Sequence, residues 1–536
     1  MNLYLYGFGP PRQRHWLMVD LGVTFPGERE PGIERVLPDI RFIEEERGAL
    51  AGIVLTHAHE DHFGAVADLW PRLRAPVYAT PFTAALLRLR LMEFGLENDV
   101  PIHEVPLKAR LDIGPFDVEF VTMAHSIPEP NALAIRTPAG ALFHSGDWKL
   151  DPDPLIGEPT DEARIRALGR EGVDILICDS TNALRAGISP SEAEVAGTLR
   201  EIIAGAQKRV AVTTFASNIA RLRSVIAAAQ DAGRHIVVTG RAMERMLQVA
   251  KETGYLPEGT ELLSDEEYGY LPRDKVVILC TGSQGEARGA LARIAADSHP
   301  RVTFAPGDVV IFSSRTIPGN EKAVGRIKNS LVDAGVEVIT DADALVHCSG
   351  HPRQEELKQL YSWLKPRIAI PMHGEAQHLS RHARLAAEVG AQTLTNVRNG
   401  SLVRLVPAPA EIIDEVPAGR LHVDGALVVD GDDDSLRERR KLSFAGIVTV
   451  AFALSRSGDL RGEPQIDLTG VPRETGDGTA MEEIIHDAVQ GALDGIPRPR
   501  RRDAALVSEA VRRAVRATLQ QAWGKKPLCT VAVTVI

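Results

Sequence analysis

A chain of 536 residues, 44% hydrophobic and 25% charged, has the composition of a soluble globular protein of about three domains. No apolar run approaches the ~20 residues of a membrane span, and the first residues, "MNLYLYGFGPPRQRHW", lack the pattern of a secretory signal. A net charge of −11 gives no support to nucleic-acid binding over the whole surface, and four dispersed cysteines without a C-x-x-C pair argue against a disulfide scaffold or zinc ribbon, pointing to a reducing cytoplasmic compartment.

Residues 1–150 read as short strands between turns: "HWLMVDLG", "AGIVLTH", "APVYAT", "FDVEFVTM" and "GALFHSGD", with helical pattern after Phe63 and over Pro81–Phe94. From about 173 the texture alternates. "VDILICD", "RVAVTTF" and "HIVVTG" are interleaved with helices near 191–206, 219–230 and 243–252, and "KVVILCTG" and "GDVVIFSS" follow. Such alternation predicts a parallel sheet covered by helices. "PRIAIPMHGE" returns to the first texture, so the middle block is expected to be an insertion. "VPAPAEIIDEVPAG" and "DGDDDS" read as connectors, and the basic runs Arg437–Lys441 and Arg498–Arg502 as solvated surface or linker. The end of the chain reads as strand, helix, helix, strand, opening on "FAGIVTVAFAL" and closing on "LCTVAVTVI".

Chemistry concentrates in "THAHEDH", where His57, His59, Asp61 and His62 leave a strand within one turn. Imidazole nitrogen and carboxylate oxygen are zinc or manganese ligands, and the i, i+2 pair can converge on one ion while the following acid and histidine serve another. A hydrolytic site also needs a further histidine and a bridging carboxylate. Strand ends supply candidates: His125 in "VTMAHSIPE", Asp147 in "LFHSGDWK" and His373 in "IAIPMHGE".

"HAHEDH", "HSIPE" and "SGDWK", with Asp20 in "MVDLG", resemble the successive motifs of the metallo-β-lactamase fold. "CDSTN" with Asp179, "HCSGH" with His351 and "PMHGE" with His373 resemble those of the β-CASP insertion. Together with "LPDIRFIEE", "GISPSE", "TFASNIARL", "TGSQGE" and "IPGNE", the chain resembles the ribonuclease J family. The resemblance implies an α/β protein, a metallo-β-lactamase αββα sandwich with an inserted β-CASP α/β domain and a small C-terminal α+β domain. The implied bounds are 1–179 and 351–420 for the sandwich, 180–350 for the insertion, 421–442 for a linker and 443–536 for the last domain.

The resemblance also implies two divalent ions, zinc or alternatively manganese. His57, His59 and His125 would hold one, Asp61, His62 and His373 the other, and Asp147 would bridge them. Asp20 and Asp179 would stand behind the ligands, and Asp61, Asp147 and His351 would form the catalytic set, with His351 serving the leaving group. Ser283, His347, Ser349 and Gly350 would build a phosphate pocket on Gly-flexed loops, and Arg221 and Arg241 would contact backbone phosphates. The implied activity is hydrolysis of single-stranded RNA, 5′-to-3′ from monophosphate ends and internally, in cytoplasmic rRNA processing and mRNA decay. A homodimer or homotetramer, RNA-decay partners and no membrane are expected.

The family begins with a G-E-I-G-x-N-like strand whose tail Met1-Asn2 resemble, so a missing sheet-edge strand and reduced activity are expected. Cys348 reads as an inert, partly buried thiol, and the remaining histidines as structural or exposed, His144 being close enough to Asp147 to warrant attention. Rival readings are a β-CASP nuclease acting on DNA, a small-molecule hydrolase of the same fold and a non-catalytic scaffold. The long insertion argues against the second, and the complete set of seven ligands against the third.

Overall fold

The computed structural model describes every residue except Arg12, Thr395 and Ala408. It divides into two compact units, residues 1–24 with 37–420, and residues 25–36 with 421–536.

In the first unit two sheets face each other. The five-stranded sheet runs Tyr4–Phe8, His15–Val19, Leu50–Val54, Val77–Ala79, Ile102–Glu104. The seven-stranded sheet runs Gln392–Thr393, Ile368–Met372, Ile175–Asp179, Gly140–His144, Asn131–Thr137, Phe116–Thr122, Arg110–Ile113. Leu17, Val19 and Val54 meet Phe120, Leu133, Ile177 and Ile370 in the core between them. The outer face of the larger sheet (Phe143, Leu176, Ala369) buries Leu168, Leu360, Trp363 and Leu385 from its covering helices. Strands covered on both faces read as apolar runs, as in Ile368–Met372 and in Ile175–Asp179 up to its terminal acid, and both are buried throughout.

Strand direction positions the site. Asp20 and the Thr56–His62 turn follow the parallel neighbours His15–Val19 and Leu50–Val54. His125, Asp147 and His373 follow Phe116–Thr122, Gly140–His144 and Ile368–Met372, and Asp179 ends Ile175–Asp179. Those four strands share one direction, so the turns gather along the carboxyl edge, where open α/β sheets bind their ligands.

Between the third and fourth of these strands the chain builds a six-stranded parallel sheet, ordered Leu263–Ser264, His235–Thr239, Val276–Cys280, Val210–Thr213, Val309–Phe312, Glu337–Ile339. Leu291, Ile294, Val324 and Ile327 cover one face, and the helices Ile219–Asp231 and Arg241–Glu252 the other. The preceding helix, Glu192–Gly205, opens on a capping box between Ser191 and Glu194. The expected αββα sandwich with an inserted α/β domain is thus the architecture of this unit.

Among the described residues the edge of the five-stranded sheet is Tyr4–Phe8, paired antiparallel with His15–Val19. Alternating Tyr4 and Tyr6 pack on the core, and this aromatic period-2 pattern was the available signal.

In the second unit Ile447–Leu454 pairs antiparallel with Leu460–Thr469 and parallel with Leu528–Val535. Val448, Val450, Phe452 and Leu454 alternate inward against Ile485, Val489, Val511 and Val515 of two helices. The strand Leu460–Thr469 lies outside the expected strand–helix–helix–strand order; it is an edge strand carrying Pro464, a residue that masks strand character. Residues 421–442, expected as a linker, carry the strand Leu427–Asp430, most of the strand Arg420–Asp424 and most of the helix Asp434–Ala445. Leu436 of that helix is buried with Ile33 and Val36, a partner too distant in sequence to be read locally. Among the described residues no helix is long and apolar enough to cross a membrane.

Candidate metal centre

The turn after Leu50–Val54 folds so that His57 Nε2 and His125 Nε2 lie 3.0 and 3.1 Å from His59 Nδ1. Nitrogens bound tetrahedrally to one zinc stand about 3.3 Å apart. Burial holds His57 and His125 well below the usual imidazole range and brings His59 down to about 4, so all three are neutral, the ligand state. The far nitrogens are committed elsewhere. His57 Nδ1 donates to Thr56 Oγ1 (2.9 Å), whose own proton goes to the Asp20 carboxylate (2.9 Å), and His125 Nδ1 donates to the Gly350 carbonyl (2.6 Å). These bonds select the tautomer that turns Nε2 toward the common point.

Beside this group lies a second. His62 Nε2 is 3.2 Å from Asp147 Oδ2 and 3.6 Å from Asp61 Oδ2, and its Nδ1 donates to Asp20 Oδ2 at 2.7 Å. His373 contributes Nε2, 3.3 Å from Asp61 Oδ2, and Nδ1, 2.7 Å from Asp147 Oδ1. Asp147 reaches both groups, since its Oδ2 also lies 3.9 and 4.0 Å from His57 and His125. Asp147 Oδ1 and His373 Nδ1 are buried 2.7 Å apart, an ion pair while His373 is protonated and two facing lone-pair atoms once it is not. Buried polar atoms carry a cost unless something satisfies them, and a divalent cation suits these donors. The residues therefore fit the metal. Asp147, Asp179, His351 and His373 form a third overlapping group in which His351 Nδ1 donates to Asp179 Oδ2 at 2.8 Å.

The backbone is bent to achieve this. Asp20 and His373 have φ of 62° and 50°, the left-handed region that costs a non-glycine residue about 1–3 kcal/mol. Gly22 lies so close that a Cβ would sit 1.8 Å from the Asp61 carbonyl oxygen, so the loop after Asp20 can pack on the metal turn only with glycine there.

Asn2, absent from the sequence-level site, is buried at it. Its Nδ2 donates to Asp61 Oδ2 (3.1 Å) and lies 3.0 Å from His62 Nε2, and Tyr4 Oη donates to its Oδ1 (2.9 Å). The motif tail Met1-Asn2 was the only signal. Thr56 was likewise missed, although it stands inside the quoted turn. His144 is buried against Tyr4 and Tyr6, accepting from or donating to Tyr6 Oη at 2.7 Å, and stays outside the metal groups.

The phosphate-pocket candidates divide. Ser283 is buried at the carboxyl edge of the inserted sheet, and Gln284 beside it accepts from the Ile317 amide and donates to the Arg315 carbonyl, tying "TGSQGE" to "IPGNE". Ser349 Oγ accepts from Asn182 Nδ2 at 2.8 Å. His347 is half-buried, with Nδ1 unpartnered, and burial holds its pKa down to about 3. Gly350 serves the centre differently: its carbonyl fixes His125, and a Cβ there would meet that ring at 2.6 Å. Arg241 is exposed at the opening of its helix, and no hydrogen bond or ion pair among the described residues links it to the centre. Arg221 is fully buried, which corrects its expected phosphate contact; its guanidinium is consumed by internal partners.

Burial works against protonation of His62 and His373, yet the surrounding carboxylates, Asp147 foremost, raise both, His373 to about 10. A metal entering the centre must displace those protons. The sign follows: affinity rises with pH from 6 to 9, by up to about tenfold per pH unit per proton displaced. Competition with a chromophoric chelator at several pH values measures this, and a flat profile contradicts it. In metal-free protein the protonated rings stabilise the fold below about pH 6.5, and that contribution is lost as pH rises toward 10.

Two facing sheets, a histidine- and aspartate-rich centre on their carboxyl edge and an inserted parallel α/β domain define a divalent-metal-dependent hydrolase of the metallo-β-lactamase fold with a β-CASP insertion. Family profiles agree along the chain. The beta-lactamase superfamily domain matches residues 15–212, the ribonuclease J beta-CASP domain 207–331, the Zn-dependent metallo-hydrolase RNA specificity domain 335–397 and the ribonuclease J C-terminal domain 434–536. The chain belongs to the ribonuclease J family. It is 52% identical to a Ribonuclease J of Sinorhizobium meliloti over 100% of this chain and 95% of that protein. Ribonuclease J of Mycolicibacterium smegmatis is 39% identical (96% and 91% covered), and that of Thermus thermophilus 37% identical (95% and 89%).

Proposed function

We propose that the chain hydrolyses RNA phosphodiesters with two divalent ions, zinc or manganese, acting 5′-to-3′ on monophosphorylated ends and also internally. The observation carrying this is one carboxylate, Asp147, shared by two clusters of converging imidazoles. His57, His59 and His125 would hold one ion and Asp61, His62 and His373 the other, with Asp147 common to both. Bound there, the ions supply Lewis acidity and lower the pKa of water.

The chain's own groups do the rest. Asp20 and Thr56 orient His62 and His57, and Gly350 orients His125. Asp179 accepts the Nδ1 proton of His351, so Nε2 is the atom with a proton to give to a departing 3′-oxygen. Burial opposes protonation of His351, but Asp179 and Asp147 raise its pKa, as a general acid requires. Ser283 and His347, on loops both bonded to the 313–317 segment, are the groups offered to a terminal phosphate. The RNA reading is supported by the RNA specificity profile and by the names of the relatives. By family resemblance the enzyme works in the cytoplasm, in rRNA processing and mRNA decay, as a homodimer or homotetramer with RNA-decay partners.

The test is incubation with 5′-monophosphorylated and 5′-triphosphorylated RNA, with and without chelator, beside a DNA oligonucleotide. Mononucleotide release from monophosphorylated RNA, abolished by chelator, is expected. Equal or faster cutting of DNA overturns the RNA assignment, and equal release from triphosphorylated RNA overturns the end preference.

A further inference from the structure

Four sequence motifs quoted above have members without a part in the proposed chemistry: Lys149 of "SGDWK", Glu192 of "GISPSE", Arg221 of "TFASNIARL" and Cys348 of "HCSGH". They meet in one place. Arg221 is 0% exposed, Glu192 1%, Lys149 1% and Asp151 3%, a neutral set of two cations and two carboxylates buried between the sandwich and its insertion. Arg221 Nη2 donates to Glu192 Oε2 at 3.0 Å and Oε1 at 3.2 Å, and its Nε to Oε2 at 3.3 Å. Lys149 Nζ is 2.8 Å from Asp151 Oδ2, which also accepts the Glu192 amide at 3.0 Å.

The same groups hold the 346–348 segment. Arg221 Nη1 donates to the Val346 carbonyl (2.9 Å), to the Ser313 carbonyl (3.1 Å) and to Ser313 Oγ (2.6 Å), and Ser313 Oγ donates to Val346 as well (2.7 Å). Cys348 Sγ donates to Glu192 Oε1 at 3.2 Å and lies 3.6 Å from Lys149 Nζ and 3.7 Å from Arg221 Nη2. Burial and Glu192 push this thiol up to about 12, so it stays a donor and no nucleophile. The next residues serve the centre: Ser349 accepts from Asn182, Gly350 fixes His125, and His351 pairs with Asp179. One hexapeptide is thus gripped at its first half and used at its second.

We infer that Arg221, with Glu192 and Ser313, is a positioning device that sets the 346–351 loop, and through Gly350 and His351 sets the orientation of His125 and the proton donor. The inference rests on the metal-centre reading above. A guanidinium satisfies three segments at once because its donors form a rigid fork, which a lysine ammonium cannot reproduce. The cluster stays electrically neutral in Arg221→Lys, so that variant separates geometry from charge.

Arg221→Lys and Ser313→Ala are titrated with Co(II) as a spectroscopic probe and assayed on RNA. The expected result for Arg221→Lys is a fold with unchanged circular dichroism, a Co(II) affinity lowered about 10–100-fold with altered d–d bands, and kcat reduced with little change in KM. Ser313→Ala should change both in the same direction by less, and it decides the question alone should Arg221→Lys not fold. Wild-type Co(II) affinity and spectrum in every variant that folds overturn the inference. Because the titration uses no RNA, wild-type protein that binds Co(II) but cuts no RNA overturns the RNA reading and leaves the positioning result standing on the metal readout.

Discussion

Asp147→Asn is expected to lower kcat/KM on monophosphorylated RNA by about 10³-fold or more, roughly 4 kcal/mol of transition-state stabilisation. The reason is that, among the described residues, Asp147 is the carboxylate common to both groups of converging side chains. Its Oδ1 is 2.7 Å from His373 and its Oδ2 3.2 Å from His62, with His57, His125 and His351 all within 4.0 Å. The amide keeps the shape but loses the charge, and it replaces one anionic ligand oxygen by an amide nitrogen that has no lone pair to offer a cation. It also removes the leading counter-charge that raises His62 and His373, so fewer protons, or less metal, are held in the centre. Metal content by elemental analysis and single-turnover rates at saturating metal measure the two consequences separately. Activity within tenfold of wild type refutes the shared-carboxylate role.

His351→Ala is expected to reduce kcat by about 10²–10⁴-fold while leaving KM and most of the metal in place, the range typical for loss of a general acid. His351 stands at the edge of the centre, its Nδ1 held by Asp179 at 2.8 Å and 3.8 Å from Asp147 Oδ2. The decisive comparison uses RNA in which the departing 3′-oxygen is replaced by sulfur, because a thiolate leaves without a proton. The variant should cut that substrate nearly as fast as wild type does. An equal loss on both substrates rules out proton donation by Nε2, and loss of a stoichiometric metal ion from the variant reassigns His351 as a ligand within the third group of converging side chains.

The sequence determined what depends on local chemistry and period. Ligand types were visible because three imidazoles and two acids crowd "HAHEDH", and the strand-end residues His125, Asp147 and His373 were visible because apolar runs stop where they begin. The inserted α/β block was legible from its alternation, its helices being found at Glu192–Gly205, Ile219–Asp231 and Arg241–Glu252. What stayed hidden depends on which distant loops touch. Nothing near Gly350 announces that its carbonyl orients a histidine 225 residues away, nor that Asn2 reaches His62 across 60. An arginine in "TFASNIARL" looks equally suited to a phosphate or to a buried carboxylate, and only its full burial on Glu192 decides between them. Composition and periodicity encode which face of an element is dry and which residues can bind a metal. The pairing of one loop's carbonyl with another loop's ring has no period, and is set only when the sheets bring their carboxyl edges together.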